Sequence, residues 1–172
     1  KRMKAKLRAS DLKRLVDGTK KFLSKNNHNK FMCYINLEID AEKKEIKATA
    51  LDGHRVSVEY AGIAEVDESF KCYIMPNIPR ILKSDLWAEI ELDDKKAYVT
   101  VGESITGYIQ PDGTKIYDVD KFVTDTENKT AKAFVGVDVQ LLKEALDSIA
   151  RESRYVKIEL RESNQPISII PT

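Results

Sequence analysis

The stretch Leu51-Asp52-Gly53-His54-Arg55-Val56 carries the chain's most distinctive grouping of chemically capable side chains. An imidazole and a guanidinium follow an Asp-Gly dipeptide, with an aliphatic residue at either end. No nucleophile accompanies them, so the chemistry on offer is recognition rather than bond-making. Gly53 supplies backbone freedom at a turn and close approach to a ligand. Arg55 presents paired N–H donors suited to a peptide carbonyl or carboxylate. Leu51 and Val56 would wall an apolar groove. A plainer alternative stays open, in which His54 and Arg55 satisfy turn carbonyls or pair with an acid such as Asp52.

A second grouping is basic. Residues 1–30 hold eleven Lys/Arg against Asp11 and Asp17, a local balance of +9, while the whole chain carries only +1. Such asymmetry suits a polyanion; equally, Lys and Arg along a strand edge and a solvated helix face would produce it. Within it Lys13, Arg14, Lys20, Lys21 and Lys25 fall largely off the apolar stripe of a helix, where they could meet phosphates without reading bases. Arg80 and Lys83 on a second expected helix, and Lys143 and Arg151 on a third, join them, although Glu144 and Asp147 dilute the third.

The elements that position these groups follow from hydrophobic period. Arg2, Lys4, Lys6 and Arg8 alternate with Met3, Ala5, Leu7 and Ala9 as a strand with one apolar face. Ser10 is expected as an N-cap, and Leu12, Leu15, Val16, Thr19, Phe22 and Leu23 then recur at helical spacing. Asn26-Asn27-His28-Asn29 reads as a polar loop, and no role falls to His28. Phe31–Ile39 alternates as a strand. Two further alternating runs, Ile46–Leu51 and Val56–Tyr60, flank Asp-Gly as a hairpin does.

That β-α-β-β-β order then recurs. Lys71–Met75 is a short strand, and Pro76-Asn77-Ile78-Pro79 opens a brief helix that turns Ile78, Ile81 and Leu82 inward. Strands follow at Trp87–Leu92, Ala97–Val101 and Ser104–Gln110. A third copy starts at Ala133–Val137, where Asp138 caps a helix with Val139, Leu142, Leu146 and Ile149 on one face. Strands at Tyr155–Leu160 and Ile167–Ile170, joined through Asn164-Gln165-Pro166, complete it. The strand after each helix shares a core, Leu37-Glu38-Ile39, Ile90-Glu91-Leu92 and Ile158-Glu159-Leu160, which points to an internal repeat. Helices set after single strands and before antiparallel runs indicate an α+β class.

Length and composition fit a globular chain of 172 residues with one third of them charged. No apolar run reaches the roughly 18 residues that a membrane span needs. Cys33 and Cys72 stand apart in strand-like runs, as buried free thiols in the cytoplasm, and no metal-ligand spacing or cofactor-binding loop is present. Asp93-Asp94 and Asp118/Asp120 read as turn and loop acids rather than a catalytic pair, so no enzyme is expected.

The string Leu51–Val56 resembles the Thr-Asp-Gly-His-Arg-Leu signature in the middle domain of bacterial sliding clamps, the beta subunits of DNA polymerase III. Tyr73-Ile74-Met75-Pro76 resembles the apolar run and proline that open that family's second helix. Asp112-Gly113-Thr114-Lys115-Ile116-Tyr117-Asp118 resembles its Asp-Gly-Arg-Phe-Pro-Asp-Tyr ending. Departures are Leu51 for threonine, Val56 for leucine, and Asp120-Lys121-Phe122-Val123 without the family's proline.

The resemblance implies a DNA-clamp fold of repeated modules, antiparallel sheets outside and helices on one face. It implies one complete domain over residues 1–123 (modules 1–70 and 71–123), a linker over 124–132 and half a domain over 133–172, with no equivalent of the family's first domain and none of its terminal strand. Phe122 and Val123 would join Leu51, Gly53, His54, Arg55 and Val56 in the peptide groove. The expected function is non-catalytic encirclement of double-stranded DNA by an oligomer that docks polymerase or other clamp-binding peptides. A contrasting expectation is a free-standing module that binds such peptides without encircling DNA.

Overall fold

The computed structural model describes residues 1–25, 29–112, 118–131, 134–162 and 165–172, apart from the side chain of Phe122. The Asn26–Asn29 loop, the Asp112–Asp118 ending, the start of the third copy at Ala133 and the turn at Asn164 therefore lie wholly or partly outside the described residues. The chain divides into two compact units, Lys1–Val119 and Asp120–Thr172.

The first unit holds two antiparallel sheets. In chain order its elements are β1 (Met3–Arg8), α1 (Ala9–Thr19), β2 (Ile35–Asp40), β3 (Glu45–Leu51), β4 (Val56–Gly62), β5 (Glu65–Val66), β6 (Phe70–Ile74), β7 (Trp87–Asp93), β8 (Lys96–Val101) and β9 (Ser104–Ile109). One sheet runs β4-β3-β2-β6 and the other β5-β1-β7-β8-β9. The first strand of each repeat thus leaves its own module: β6 closes the sheet of β2, and β1 that of β7. Period-two alternation put Leu37, Ile39, Ile46, Ala48, Cys72 and Ile74 on one face and Ala5, Leu7, Ile90 and Val99 on the other sheet's matching face. With Leu12, Leu15 and Val16 of α1 they form one apolar core.

The repeated Leu/Ile-Glu-Ile/Leu triplets keep their glutamates outward, each between two cations. Glu38 meets Lys47 at 3.3 Å and Lys71 at 3.2 Å, and Glu91 meets Arg2 at 3.2 Å and Lys4 at 3.0 Å. In the second unit Glu159 meets Lys157 and Arg161. β1 is no edge strand, because it lies between β5 and β7. Its cations are absorbed in this cross-strand lattice, Lys6 pairing with Glu65 at 3.0 Å.

Three local expectations need correction. The first helix begins at Ala9, capped by Arg8 without a side-chain bond, and the Ala9 N–H donates to the Leu86 carbonyl at 3.0 Å. A tertiary carbonyl thus does the work expected of Ser10. The helix also stops at Thr19, followed by a 3-10 turn at Lys20–Phe22. No helix forms between β6 and β7. Pro76 and Pro79 remove two donors, the Leu82 N–H goes to the Asp85 carboxylate at 2.7 Å, and the Asn77 carbonyl accepts from the Tyr108 hydroxyl at 3.2 Å. Ile78 and Ile81 still pack on the core, but Leu82 is exposed.

The second unit comprises α2 (Val119–Glu127, whose first residue ends the preceding unit), α3 (Val139–Ile149), β10 (Val156–Glu159) and β11 (Ser168–Pro171). α2 occupies residues read as the end of a domain and the start of a linker; its Val119, Phe122, Val123 and Thr126 recur at helical spacing inside a polar stretch. α3 is capped as expected by Asp138, whose Oδ1 accepts the N–H groups of Gln140 and Leu141 at 2.8 and 2.9 Å. Its Leu142, Leu146 and Ile149 are half-buried, while Val139 is exposed. Phe134–Val137 joins no sheet among the described residues. Among the described residues of this unit no side chain is fully buried.

Candidate partner-binding hairpin and basic faces

Leu51 of β3 stands opposite Val56 of β4, so residues 52–55 form the loop of the expected hairpin. Gly53 takes φ 89°, the left-handed conformation that glycine adopts without strain. Asp52 organises the loop. Its Oδ1 accepts the His54 and Arg55 N–H groups at 3.0 and 2.9 Å, while its Oδ2 accepts Arg55 Nε and Nη2 at 3.0 and 2.7 Å. The Arg55 guanidinium, followed by the two backbone donors, holds the Asp52 carboxyl at about 2.

Arg55 also leaves the hairpin. Its Nη2 donates to the Lys21 carbonyl at 3.1 Å, and the guanidinium lies 5.1 Å from the centre of the Phe22 ring. One side chain therefore ties the loop to the turn that ends α1. The His54 side chain is exposed and makes no hydrogen bond or ion pair among the described residues. Leu51 and Val56 are half-buried on the outward face of the sheet, and the same parity adds Val58 and Tyr60. The sequence signal for those two was the alternation of Val56-Ser57-Val58-Glu59-Tyr60. Phe22 and the Lys21 carbonyl had no such signal, since only tertiary packing brings them to Arg55. Phe122 and Val123 fall in the second unit, with Val123 half-buried on α2.

The basic residues are less available than their spacing promised. Asp17 pairs with both Lys13 and Lys20, and these cations, Lys13 first, lower its pKa. Arg14 binds Glu59 at 3.2 Å and the Tyr60 carbonyl at 2.7 Å, with Asp11 at 3.6 Å. Lys21 and Lys25 form no ion pair among the described residues, and they follow α1 rather than riding on it. Arg80 and Lys83 are exposed on the irregular chain between β6 and β7. Lys143 pairs with Asp147 on α3, and Arg151 is exposed just beyond that helix.

What this arrangement offers is recognition chemistry. The guanidinium is fixed towards the turn that ends α1, the aliphatic strip lies on the opposite face of the sheet, and each is a separate surface for recognition. Among the described residues no three His, Cys, Asp or Glu side chains gather as a metal would require, and no helix is long and apolar enough to cross a membrane.

No family model matches the sequence, and no curated protein matches it. Solved structures do match. A putative DNA polymerase III beta subunit from Eubacterium rectale ATCC 33656 superimposes with a TM-score of 0.75 at 15% identity, over 96% of this chain and 46% of that one. The DNA polymerase III beta chain of Streptococcus pneumoniae TIGR4 gives 0.71 at 16% identity, over 97% and 48%. The beta subunit of Thermotoga maritima gives 0.63 at 17% identity, over 93% and 44%. The chain has an α+β sliding-clamp fold. The particular clamps whose fold it shares are the DNA polymerase III beta subunits, and it spans a little under half their length.

Proposed function

We propose that this chain is a non-catalytic clamp protein of DNA replication, in the cytoplasm, that encircles duplex DNA by assembling with further clamp modules. On this reading it docks a polymerase or another clamp-binding peptide at the hairpin of Leu51, Gly53, His54, Arg55 and Val56. The observation that carries the reading is the exchanged-strand pair of modules. Each sheet is completed by the other module's strand, which joins two repeats into one unit with the fold of the DNA polymerase III beta subunits.

A clamp needs no active site. It needs a closed path around DNA and cations that meet phosphates weakly, so that the protein slides. Lys13, Arg14, Lys20, Lys21, Lys25, Arg80 and Lys83 serve that purpose, and local pairing of the first three with Asp17 and Glu59 suits weak contact. The test is retention on circular against linear DNA under a high-salt wash, where an encircling protein stays on the closed circle alone.

That same pairing favours a second reading. With Lys13, Arg14 and Lys20 already neutralised, a free-standing module that engages clamp-binding peptides without DNA fits the surface. Peptide binding abolished by H54A and R55A, with no salt-sensitive DNA affinity, would decide for it.

A further inference from the structure

The sequence holds three Asp-Gly pairs, Asp17-Gly18, Asp52-Gly53 and Asp112-Gly113. Such a pair can rearrange without any partner, because no glycine side chain obstructs the backbone nitrogen. That nitrogen bonds to the aspartate Cγ, the carboxyl hydroxyl leaves with the amide proton as water, and a succinimide ring closes. Water then opens the ring. Cleavage at Cγ restores aspartate, whereas cleavage at the main-chain carbonyl leaves the chain running through Cγ as isoaspartate. One water leaves and one returns, and nothing is oxidised or reduced.

The three pairs stand in different surroundings. Asp112-Gly113 reaches past the described residues. Gly18 lies inside α1, where a Cβ would fall 2.7 Å from Glu59 Oε1, and Asp17 is paired with Lys13 and Lys20. Gly53 is exposed in the hairpin loop, and a Cβ there would meet nothing within 4 Å. By space alone, Asp52-Gly53 is the more open of the two described pairs.

The Asp52 side chain closes it. Oδ1 accepts the His54 and Arg55 N–H groups, Oδ2 accepts Arg55 Nε and Nη2, and the side chain is only 15% exposed. Ring closure needs Cγ to swing onto the Gly53 nitrogen, away from these donors. It also needs the acid form of the carboxyl, from which an oxygen can leave as water, and the Arg55 guanidinium keeps the group ionised. Arg55 is anchored outside the loop in its turn, by the Lys21 carbonyl at 3.1 Å and by the Phe22 ring.

We propose that Asp52-Gly53 is an isoaspartate-forming site that Arg55 holds shut. Neither DNA nor a peptide takes part in the reaction, which stands apart from the clamp reading. The consequence falls on the hairpin. Isoaspartate lengthens the loop backbone by one carbon and shortens the carboxylate arm by one, which undoes the bonds that shape residues 52–55. The Arg55 side chain is 57% exposed, within reach of a competing acid, and an acid that drew it away would open the site.

The experiment incubates the full chain for weeks at physiological temperature and neutral pH. Peptide mapping with fragmentation that separates isoaspartate from aspartate then reads Asp52 and Asp17 in the same sample. Folded wild type should keep aspartate at position 52, while the chain unfolded in guanidinium chloride converts. R55A should convert roughly tenfold faster than wild type, as the acid form becomes more populated. R55K, whose single ammonium cannot reproduce the two-pronged grip, should fall between them. Asp17-Gly18 marks unfolding and should hold steady in all three folded proteins. Conversion of folded wild type at the unfolded rate overturns the proposal, and so does an R55A rate equal to wild type. A rise at Asp17-Gly18 that matches the rise at Asp52-Gly53 overturns it too, because unfolding would then be the cause.

Discussion

Asp52 grips Arg55 with one carboxylate oxygen while its other oxygen holds the backbone N–H groups of His54 and Arg55. This arrangement fixes the guanidinium before any partner arrives, and preorganisation lowers the ordering cost of binding. It also makes the hairpin sensitive to acid. The carboxyl titrates at about 2 when folded, against an ordinary 3.8. Its contribution to stability is therefore present above the ordinary value and lost as pH falls towards 2. D52N should lower the thermal midpoint at neutral pH, and the gap from wild type should close between about pH 4 and 2. A carbon-13 titration of the Asp52 carboxyl should find its midpoint near the lower end of that window.

On the proposed reading His54 would separate recognition from stability, because its exposed side chain has no bond to lose among the described residues. H54A should weaken a bound clamp-binding peptide several-fold with an unchanged melting temperature. R55A should weaken it about tenfold, roughly 1.4 kcal/mol, and also melt earlier, since Arg55 ties the loop to the Lys21 carbonyl. Calorimetric titration and thermal unfolding on the same samples read both quantities.

Gly18 lets α1 lie close to β4. The Ser57 hydroxyl donates to its carbonyl at 2.9 Å, and a Cβ there would fall 2.7 Å from Glu59 Oε1 and 2.9 Å from Glu59 Cγ. Alanine ordinarily stabilises a helical site over glycine by roughly 0.5–1 kcal/mol. G18A alone should instead destabilise, as Glu59 is driven off Arg14. In an E59A background the same change should stabilise by that ordinary amount. A double-mutant cycle from urea unfolding tests the sign reversal.

Asp17 masks Lys13 and Lys20 together. D17N should tighten binding to duplex DNA and steepen the dependence of log affinity on log salt by about one to two units, near 0.9 for each additional phosphate neutralised. K21E/K25E should weaken binding and flatten the slope. Fluorescence anisotropy across a salt series measures both.

Much of the first unit was legible because half-buried strands alternate and α1 keeps a 3.6-residue stripe. Asp-Gly between alternating runs placed the hairpin. The irregular chain before β7 was misread since Ile78, Ile81 and Leu82 imitate a helical face, while the outcome hangs on Pro79, the Asp85 side chain and the Tyr108 hydroxyl. α2 went unseen because its apolar residues are sparse in a polar stretch. The exchange of β1 and β6 could not be read from one sequence, since each strand's pattern fits either sheet. At the site, the residue types announced Asp52, His54 and Arg55. The bond from Arg55 to Lys21 and the masking of Lys13 by Asp17 depend on where the side chains settle.

The most direct measurement is retention on DNA. The oligomer is assembled in the presence of nicked circular plasmid by raising protein concentration, then washed at high salt, where phosphate contacts fail. Encirclement predicts that the protein stays on the circle and is released when the plasmid is linearised. Equal loss from circular and linear DNA would contradict it.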